Sequence, residues 1–119
     1  MKKILLIDDM QGIRDSLEVI LTSKYALDVV DNAQTGLSKI TEGSYDLIIT
    51  DIIMPGMDGN ELMMQARKQT DAKILAISAG GNGVSADQAL MLAKEQADMV
   101  LEKPFSRDDL LSNVEKLIG

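Results

Sequence analysis

The chain has 119 residues and a formal charge of −7, from 19 acidic and 12 basic residues. At about 100 to 200 residues per domain this length excludes a two-domain enzyme, and the negative charge disfavours direct binding to nucleic acid or to anionic lipid. The absence of cysteine and histidine excludes disulfides, thiolate zinc sites and His-based catalysis, so any chemistry must use carboxylates, hydroxyls, lysine and backbone groups.

Short apolar runs alternate along the chain with segments that have helical spacing. The runs predicted as strands are 4–7, 26–30, 45–49, 73–77 and 99–102. The segments predicted as helices are 11 to about 24, 33 to about 43, about 60–69, about 86–95 and 106–117. Because this alternation is typical of a parallel sheet covered by helices, the pattern predicts one α/β unit without linkers or repeats.

The connections after the third and fourth strands have the composition of turns and loops. Residues 54–59 contain a proline and two glycines, Gly56 and Gly59, which permit positive φ. Residues 78–83 are rich in glycine, which predicts a mobile loop. Before the last helix, Ser106 and Asp109 have the spacing of an N-cap.

Chemically capable side chains follow four of the five predicted strands. The first strand ends in Asp8 and Asp9, the third in Asp51, the fourth in Ser78, and the fifth in Lys103. In an open parallel sheet, ligands bind beyond the carboxyl ends of the strands. Three carboxylates brought together there would raise one another's pKa and repel, a cost that a hard cation with oxygen ligands would offset, and Mg²⁺ is the natural candidate.

Each of these residues also has a purely structural interpretation. An aspartate at a strand end often caps the following helix. A single serine is often only a turn hydroxyl, and a single lysine a solvated surface charge. Taken together, the residues favour a ligand site.

The ordered set of motifs resembles the receiver domain of bacterial two-component response regulators. The motifs are the pair Asp8-Asp9, Asp51 followed by Met-Pro-Gly-Met-Asp-Gly at 54–59, Ser78, and Lys-Pro-Phe at 103–105. The resemblance covers residues 1–119 as one receiver domain. It implies a flavodoxin-like, doubly wound (βα)5 fold with a five-stranded parallel sheet in the order 2-1-3-4-5.

The resemblance also implies a reaction. A sensor histidine kinase or histidine phosphotransfer protein would transfer a phosphoryl group to Asp51, forming an aspartyl phosphate in a Mg²⁺-dependent step. Asp9 and Asp51 would bind the metal directly, Asp8 through water, and the backbone carbonyl of Ile53 would be a further ligand. Positioning and charge neutralisation supply most of the catalysis in such a transfer.

By the same resemblance, Lys103 would pair with Asp51 or with a phosphoryl oxygen, and Ser78 would donate its hydroxyl to the attached phosphoryl group. The Lys103-Pro104 peptide is expected to be cis. The chain would then be a signalling protein that catalyses its own phosphorylation and dephosphorylation rather than an enzyme. As a stand-alone receiver it would act by binding an unknown downstream protein or by relaying the phosphoryl group. The apolar run at its start is too short for a signal peptide, which predicts a cytoplasmic protein without membrane insertion.

Two positions depart from the family pattern. Val100 stands three residues before Lys103, where receivers that switch by rotating an aromatic ring carry tyrosine or phenylalanine. The output would therefore travel through the 80–83 loop or the surface of the fourth helix. Ile53 offers no hydrogen bond to an attacking water, so we expect slow self-hydrolysis of the phosphoryl group.

Three other interpretations compete with a working receiver. A degenerate receiver would act only as a protein-interaction module, although all five expected site residues are present. A Mg²⁺-dependent phosphatase of the haloacid dehalogenase type needs Asp-x-Asp after its first strand, and Asp8-Asp9-Met10 lacks that spacing. A flavodoxin needs a phosphate loop rich in serine and threonine, where Asp8 and Asp9 would repel the phosphate.

Overall fold

The computed structural model describes residues 1–52, 56–57, 59–78, 91 and 93–119. The strands are β1 (Lys3–Ile7), β2 (Ala26–Val30), β3 (Leu47–Asp51), β4 (Lys73–Ser78) and β5 (Met99–Glu102). The helices are α1 (Gln11–Leu21), α2 (Ala33–Glu42), α3 (Gly59–Gln69), α4 (the helical residues 93–96) and α5 (Arg107–Ile118). No helix in the described part of the chain has the length and apolar character needed to cross a membrane.

The strands form one parallel sheet in the order β2-β1-β3-β4-β5, as the resemblance predicted. In the centre of the sheet, Ile49 of β3 pairs with Leu6 of β1 and with Leu75 of β4. At its end, Asp51 pairs with Ile77. This register brings the carboxyl ends of β1, β3 and β4 to one edge of the sheet, where ligands bind in such folds.

Helices cover both faces of the sheet. The cluster on one face contains residues of α2 and α3 and Ala93 of α4, and the cluster on the other contains residues of α1 and α5. The apolar run Ile4–Ile7 is fully buried and alternates between the two clusters. The predicted central strand is therefore confirmed, since a strand buried on both faces needs no polar side.

Two predicted element ends are wrong by a few residues. Helix α1 ends at Leu21 instead of Lys24, because the amides of Lys24 and Tyr25 both turn back to the Leu21 carbonyl at 3.1 and 2.9 Å. Strand β3 begins at Leu47 instead of Tyr45. The Tyr45 side chain is buried and its hydroxyl donates to Oδ2 of Asp28 at 2.6 Å, which joins the residue to β2 outside the β3 ladder.

The predicted last helix and the end of the predicted fourth helix are confirmed. Ser106 Oγ accepts from the amide of Asp109 at 3.0 Å, and Asp109 Oδ2 accepts from the amide of Ser106 at 3.2 Å, which completes a capping box. Residues 93–96 are helical. Residues 86–90 of the predicted fourth helix and residues 79–83 of the predicted mobile loop lie outside the described residues.

The two glycines after β3 have different roles. Gly56 has a φ of +81°, as its turn prediction required. Gly59 instead opens α3 with an ordinary φ, so the positive φ that glycine permits is not adopted there. A Cβ at Gly59 would clash with the carbonyl oxygen of Asp51 and would lie 2.7 Å from Cα of Ile52. Glycine is needed at this position because the start of α3 touches the backbone at the end of β3.

Substituting Gly59 by alanine should therefore destabilise the fold. The added methyl meets backbone that cannot move aside like a flexible side chain, so we expect Gly59→Ala to lower the free energy of unfolding by about 2–3 kcal/mol. Urea unfolding followed by circular dichroism would measure the change.

Gly12 provides the matched control, since it lies in α1 and nothing stands within 4 Å of a Cβ built there. Gly12→Ala should raise stability by about 0.5–1 kcal/mol through the higher helix propensity of alanine. Equal effects of the two substitutions would contradict the proposed close contact.

Candidate functional site

Three aspartates meet at the carboxyl edge of the sheet, as the sequence predicted. Asp8 and Asp9 follow β1, and Asp51 is the last residue of β3. One carboxylate oxygen from each lies within 4.8 Å of the others. Asp8 and Asp51 are buried while Asp9 is exposed, so the cluster is held by the core and remains open to solvent on one side.

Asp8 does not cap α1. The N-cap position belongs to Met10, whose side chain makes no cap hydrogen bond. Asp8 Oδ1 accepts from the amide of Met10 at 2.9 Å. Its Oδ2 is buried and accepts no hydrogen bond from any residue that the structure describes. The helix-cap interpretation therefore fails for Asp8, and its second oxygen is available to a ligand.

The pKa of Asp8 is raised above its usual range. Burial is the largest cause, because it removes the charged form from water. The hydrogen bond from the Met10 amide opposes this shift, as does the positive charge of Lys103. The neighbouring carboxylate of Asp9 adds to the shift. The ionised form of Asp8 is thus costly in the protein without a cation.

Lys103 supplies positive charge beside the cluster. It follows β5, and its Nζ lies 3.9 Å from Oδ2 of Asp51. Its backbone amide donates to the carbonyl of Ser78 at 2.8 Å, which ties the end of β5 to the end of β4. The Lys103-Pro104 peptide is cis, which confirms the prediction.

Ser78 lies at the same edge of the sheet. It is the last residue of β4, half-buried, and it directly follows Ile77, the register partner of Asp51. The predicted residue Ile53 lies outside the described residues. Of the side chains predicted for the site, the structure thus places Asp8, Asp9, Asp51, Ser78 and Lys103 at one edge.

Arg14 is a contributor that the sequence analysis missed. Its guanidinium donates from Nη1 to the carbonyl of Asp8 at 2.8 Å, which holds the turn that carries the two aspartates. A cation in the first turn of a helix is unfavourable next to the positive end of the helix dipole. This unusual placement was the only signal in the sequence, and it could not indicate which backbone group the side chain reaches.

The donor set fits a hard divalent cation. All the candidate ligands are carboxylate oxygens, the type that Mg²⁺ and Ca²⁺ prefer. The buried, unbonded Oδ2 of Asp8 and the mutual approach of the three carboxylates are both relieved by a bound cation. The cluster is therefore chemically suited to hold Mg²⁺.

Comparison with known proteins identifies the family. Residues 4–115 match the model of the response regulator receiver domain. The chain is 33% identical over 98% of its length to the transcriptional regulatory protein ResD of Bacillus subtilis, and 34% identical over 98% of its length to the regulatory protein VanRB of Enterococcus faecalis. The chain belongs to the response regulator receiver family, a family of signalling proteins in two-component systems.

The fold comparison agrees with this assignment. The response regulator protein TrrA of Thermotoga maritima, solved in complex with Mg²⁺-BeF, superposes with a TM-score of 0.83 and 38% identity, covering 98% of this chain and 99% of that one. In contrast, the chain spans only about half the length of the two regulators named above, 48% of ResD and 52% of VanRB.

Removing the charge of Asp8 should stabilise the metal-free protein. Because the folded pKa of Asp8 is raised, ionisation disfavours folding above the ordinary value of 3.8, and the penalty is absent below it. We expect Asp8→Asn, which keeps an acceptor for the Met10 amide, to raise the free energy of unfolding by about 1 kcal/mol at neutral pH. Denaturant unfolding in chelator, repeated at acidic pH where the difference should vanish, would measure this.

Asp28 is a control carboxylate whose pKa is shifted in the opposite direction. The hydrogen bond from the Tyr45 hydroxyl, and then the charge of Lys3, lower the pKa of Asp28. Its ionised form stabilises the fold above 3.8, and this contribution is lost as pH falls through the folded pKa. Asp28→Asn should lower the free energy of unfolding at neutral pH by less than about 1 kcal/mol, because the ion pair between Asp28 and Lys3 is partly exposed. If Asp8→Asn and Asp28→Asn changed the free energy of unfolding in the same direction, the opposite pKa shifts of the two carboxyl groups would be refuted.

Proposed function

We propose that this receiver accepts a phosphoryl group on Asp51 in a Mg²⁺-dependent reaction, with a histidine kinase or histidine phosphotransfer protein as the donor. The observation that supports the proposal is the cluster of Asp8, Asp9 and Asp51, with oxygens within 4.8 Å of one another and Lys103 at 3.9 Å from Asp51. A carboxylate nucleophile flanked by a cation and by metal ligands is the arrangement that phosphoryl transfer requires.

Different residues of the chain would bind the metal and accept the phosphoryl group. Asp9 and Asp51 would hold Mg²⁺ directly, Asp8 through water, and the Ile53 carbonyl would add a further ligand. The metal supplies charge neutralisation for the phosphoryl oxygens. A carboxylate oxygen of Asp51 forms the bond to phosphorus while the bond from phosphorus to the donor nitrogen breaks, and the nitrogen keeps the electron pair. The donor must supply the histidine because this chain has none.

Lys103 and Ser78 would contact the phosphoryl group. The ammonium of Lys103 moves with its flexible stem from Asp51 to a phosphoryl oxygen, and Ser78 donates its hydroxyl to another. These contacts form as the phosphoryl group is transferred, so they would stabilise both the transition state and the phosphorylated state. The receiver, proposed to extend over residues 1–119, would signal through a downstream protein or a phosphorelay, without direct contact to nucleic acid.

A role as a binding module alone is the second candidate, and the site argues against it. A module without chemistry has no need for three mutually repelling carboxylates, which raise the free energy of the metal-free fold. The Val100 side chain is half-buried and packs on the cluster that contains α2 and α3. Because it is a valine, it has no ring that could rotate between buried and exposed positions. Transmission of the signal to a partner would therefore differ from switching by an aromatic ring, while Asp51 would still be phosphorylated as proposed above.

Phosphorylation is tested most directly by intact mass spectrometry after incubation with a small-molecule phosphodonor. We expect a single phosphoryl adduct with Mg²⁺ and none with chelator. Asp51→Ala should abolish the adduct, because it removes the carboxylate that lies 3.9 Å from Lys103 and that we propose as the phosphoacceptor. Lys103→Met should slow adduct formation by about tenfold or more, since it removes a charge that stabilises the transition state.

Asp71→Ala is the matched control, because Asp71 is an exposed aspartate before β4 that belongs to no part of the cluster. It should leave adduct formation unchanged. The absence of an adduct in the folded wild-type protein under all conditions would favour the binding module.

The lifetime of the phosphoryl group tests the role of position 53. Because isoleucine cannot hydrogen-bond an attacking water, we expect the adduct to decay over minutes or longer after removal of the donor. Ile53→Asn should shorten the lifetime, since an amide can orient water for attack. Decay within seconds in the wild-type protein would contradict the prediction.

A further inference from the structure

Three polar or charged side chains are buried in the described part of the chain, namely Asp8, Thr50 and Asp51. Two of them are carboxylates of the site. The third, Thr50, is fully buried in β3 and directly precedes Asp51. Its neighbours in the ladder are Ile7 and Ala76, so the hydroxyl stands in an otherwise apolar part of the sheet.

The Thr50 hydroxyl contacts the backbone of Asp51. Its Oγ1 donates to the Asp51 carbonyl at 3.0 Å. On the other side of the same peptide group, the amide of Ile52 donates to the carbonyl of Ile77 at 3.1 Å. The peptide between Asp51 and Ile52 is therefore held at both its carbonyl and its amide.

The start of α3 adds a third restraint. The amide of Gly59 donates to the carbonyl of Ile52 at 2.8 Å. Gly59 also lies so close to the Asp51 carbonyl that no side chain fits there. A peptide plane held in this way fixes ψ of Asp51, and with it the direction in which the Asp51 side chain leaves the strand.

A structural role alone does not explain a hydroxyl at this position. Valine has nearly the same shape as threonine and suits a buried strand at least as well. Burial of a hydroxyl is unfavourable unless its hydrogen bond compensates. The free-energy cost of burying the Thr50 hydroxyl must therefore be offset by its contact with Asp51.

We propose that Thr50 is a positioning residue for Asp51, whose hydroxyl orients the peptide group after Asp51 and so aims the carboxylate at the incoming phosphorus. The inference rests on the proposed phosphorylation of Asp51. Reactions of this kind depend steeply on alignment between the attacking atom and its target. A small loss of order at Asp51 should thus reduce the rate of transfer while the fold persists.

The test compares Thr50→Val, which removes the hydroxyl but keeps the shape, with Thr50→Ser, which keeps the hydroxyl. Initial rates of adduct formation are measured by intact mass at one phosphodonor and Mg²⁺ concentration, and stability by urea unfolding. We expect Thr50→Val to react about two- to tenfold more slowly than wild type, the range for loss of one hydrogen bond, without being less stable. Thr50→Ser should react within about twofold of wild type, because its hydroxyl can make the same bond.

Ile48→Val is the matched control, because Ile48 lies on the same face of β3 and is buried in the same apolar cluster. It loosens the packing without touching the peptide after Asp51, so its rate should stay at the wild-type value. An unchanged rate in Thr50→Val, equal slowing in the valine and serine variants of Thr50, or equal slowing in Ile48→Val would each overturn the proposal. If wild type forms no adduct, the proposed function falls, and this inference falls with it.

Discussion

Electrostatic repulsion among three aspartates is the constraint on which the site depends. The oxygens of Asp8, Asp9 and Asp51 lie within 4.8 Å of one another, and two of the three side chains are buried. Repulsion and desolvation both favour separation or protonation of these groups. The cluster persists because the strands that carry it belong to a sheet packed on both faces. The core thus holds a strained charge arrangement that a bound cation can relieve.

The supports around the cluster act mainly through the backbone. Arg14 and Met10 hold the turn after β1, with the Arg14 guanidinium bound to the Asp8 carbonyl and the Met10 amide to its carboxylate. Gly59 allows α3 to touch the end of β3. Lys103 brings its ammonium group to 3.9 Å from Oδ2 of Asp51. Under the proposed function, this arrangement suits a nucleophile held by fixed backbone and a charge partner carried on a flexible side chain.

The chain combines membership of the receiver family with a valine three residues before Lys103. The family assignment and the acidic cluster agree on the chemistry. Val100, three residues before Lys103, packs against the core as a partly buried side chain. Under the proposed function, a change at Asp51 would reach a partner protein through the loop after β4 or the surface of the fourth helix instead of through an aromatic ring. The restraints that converge on the peptide after Asp51 lie at the start of that route.

The sequence by itself determined the fold class, the strand order through resemblance, and the residues at the strand ends, because apolar periodicity and the order of motifs are local properties of the chain. It misplaced the end of α1 and the start of β3, and it did not indicate the close contact at Gly59 or the roles of Arg14 and Thr50. The contacts of Gly59 and Arg14 are with backbone outside their own helices, and that of Thr50 depends on the direction of its side chain. Only the tertiary structure decided them, since close approach and hydrogen-bond geometry arise when separate elements pack, and no local pattern encodes those distances.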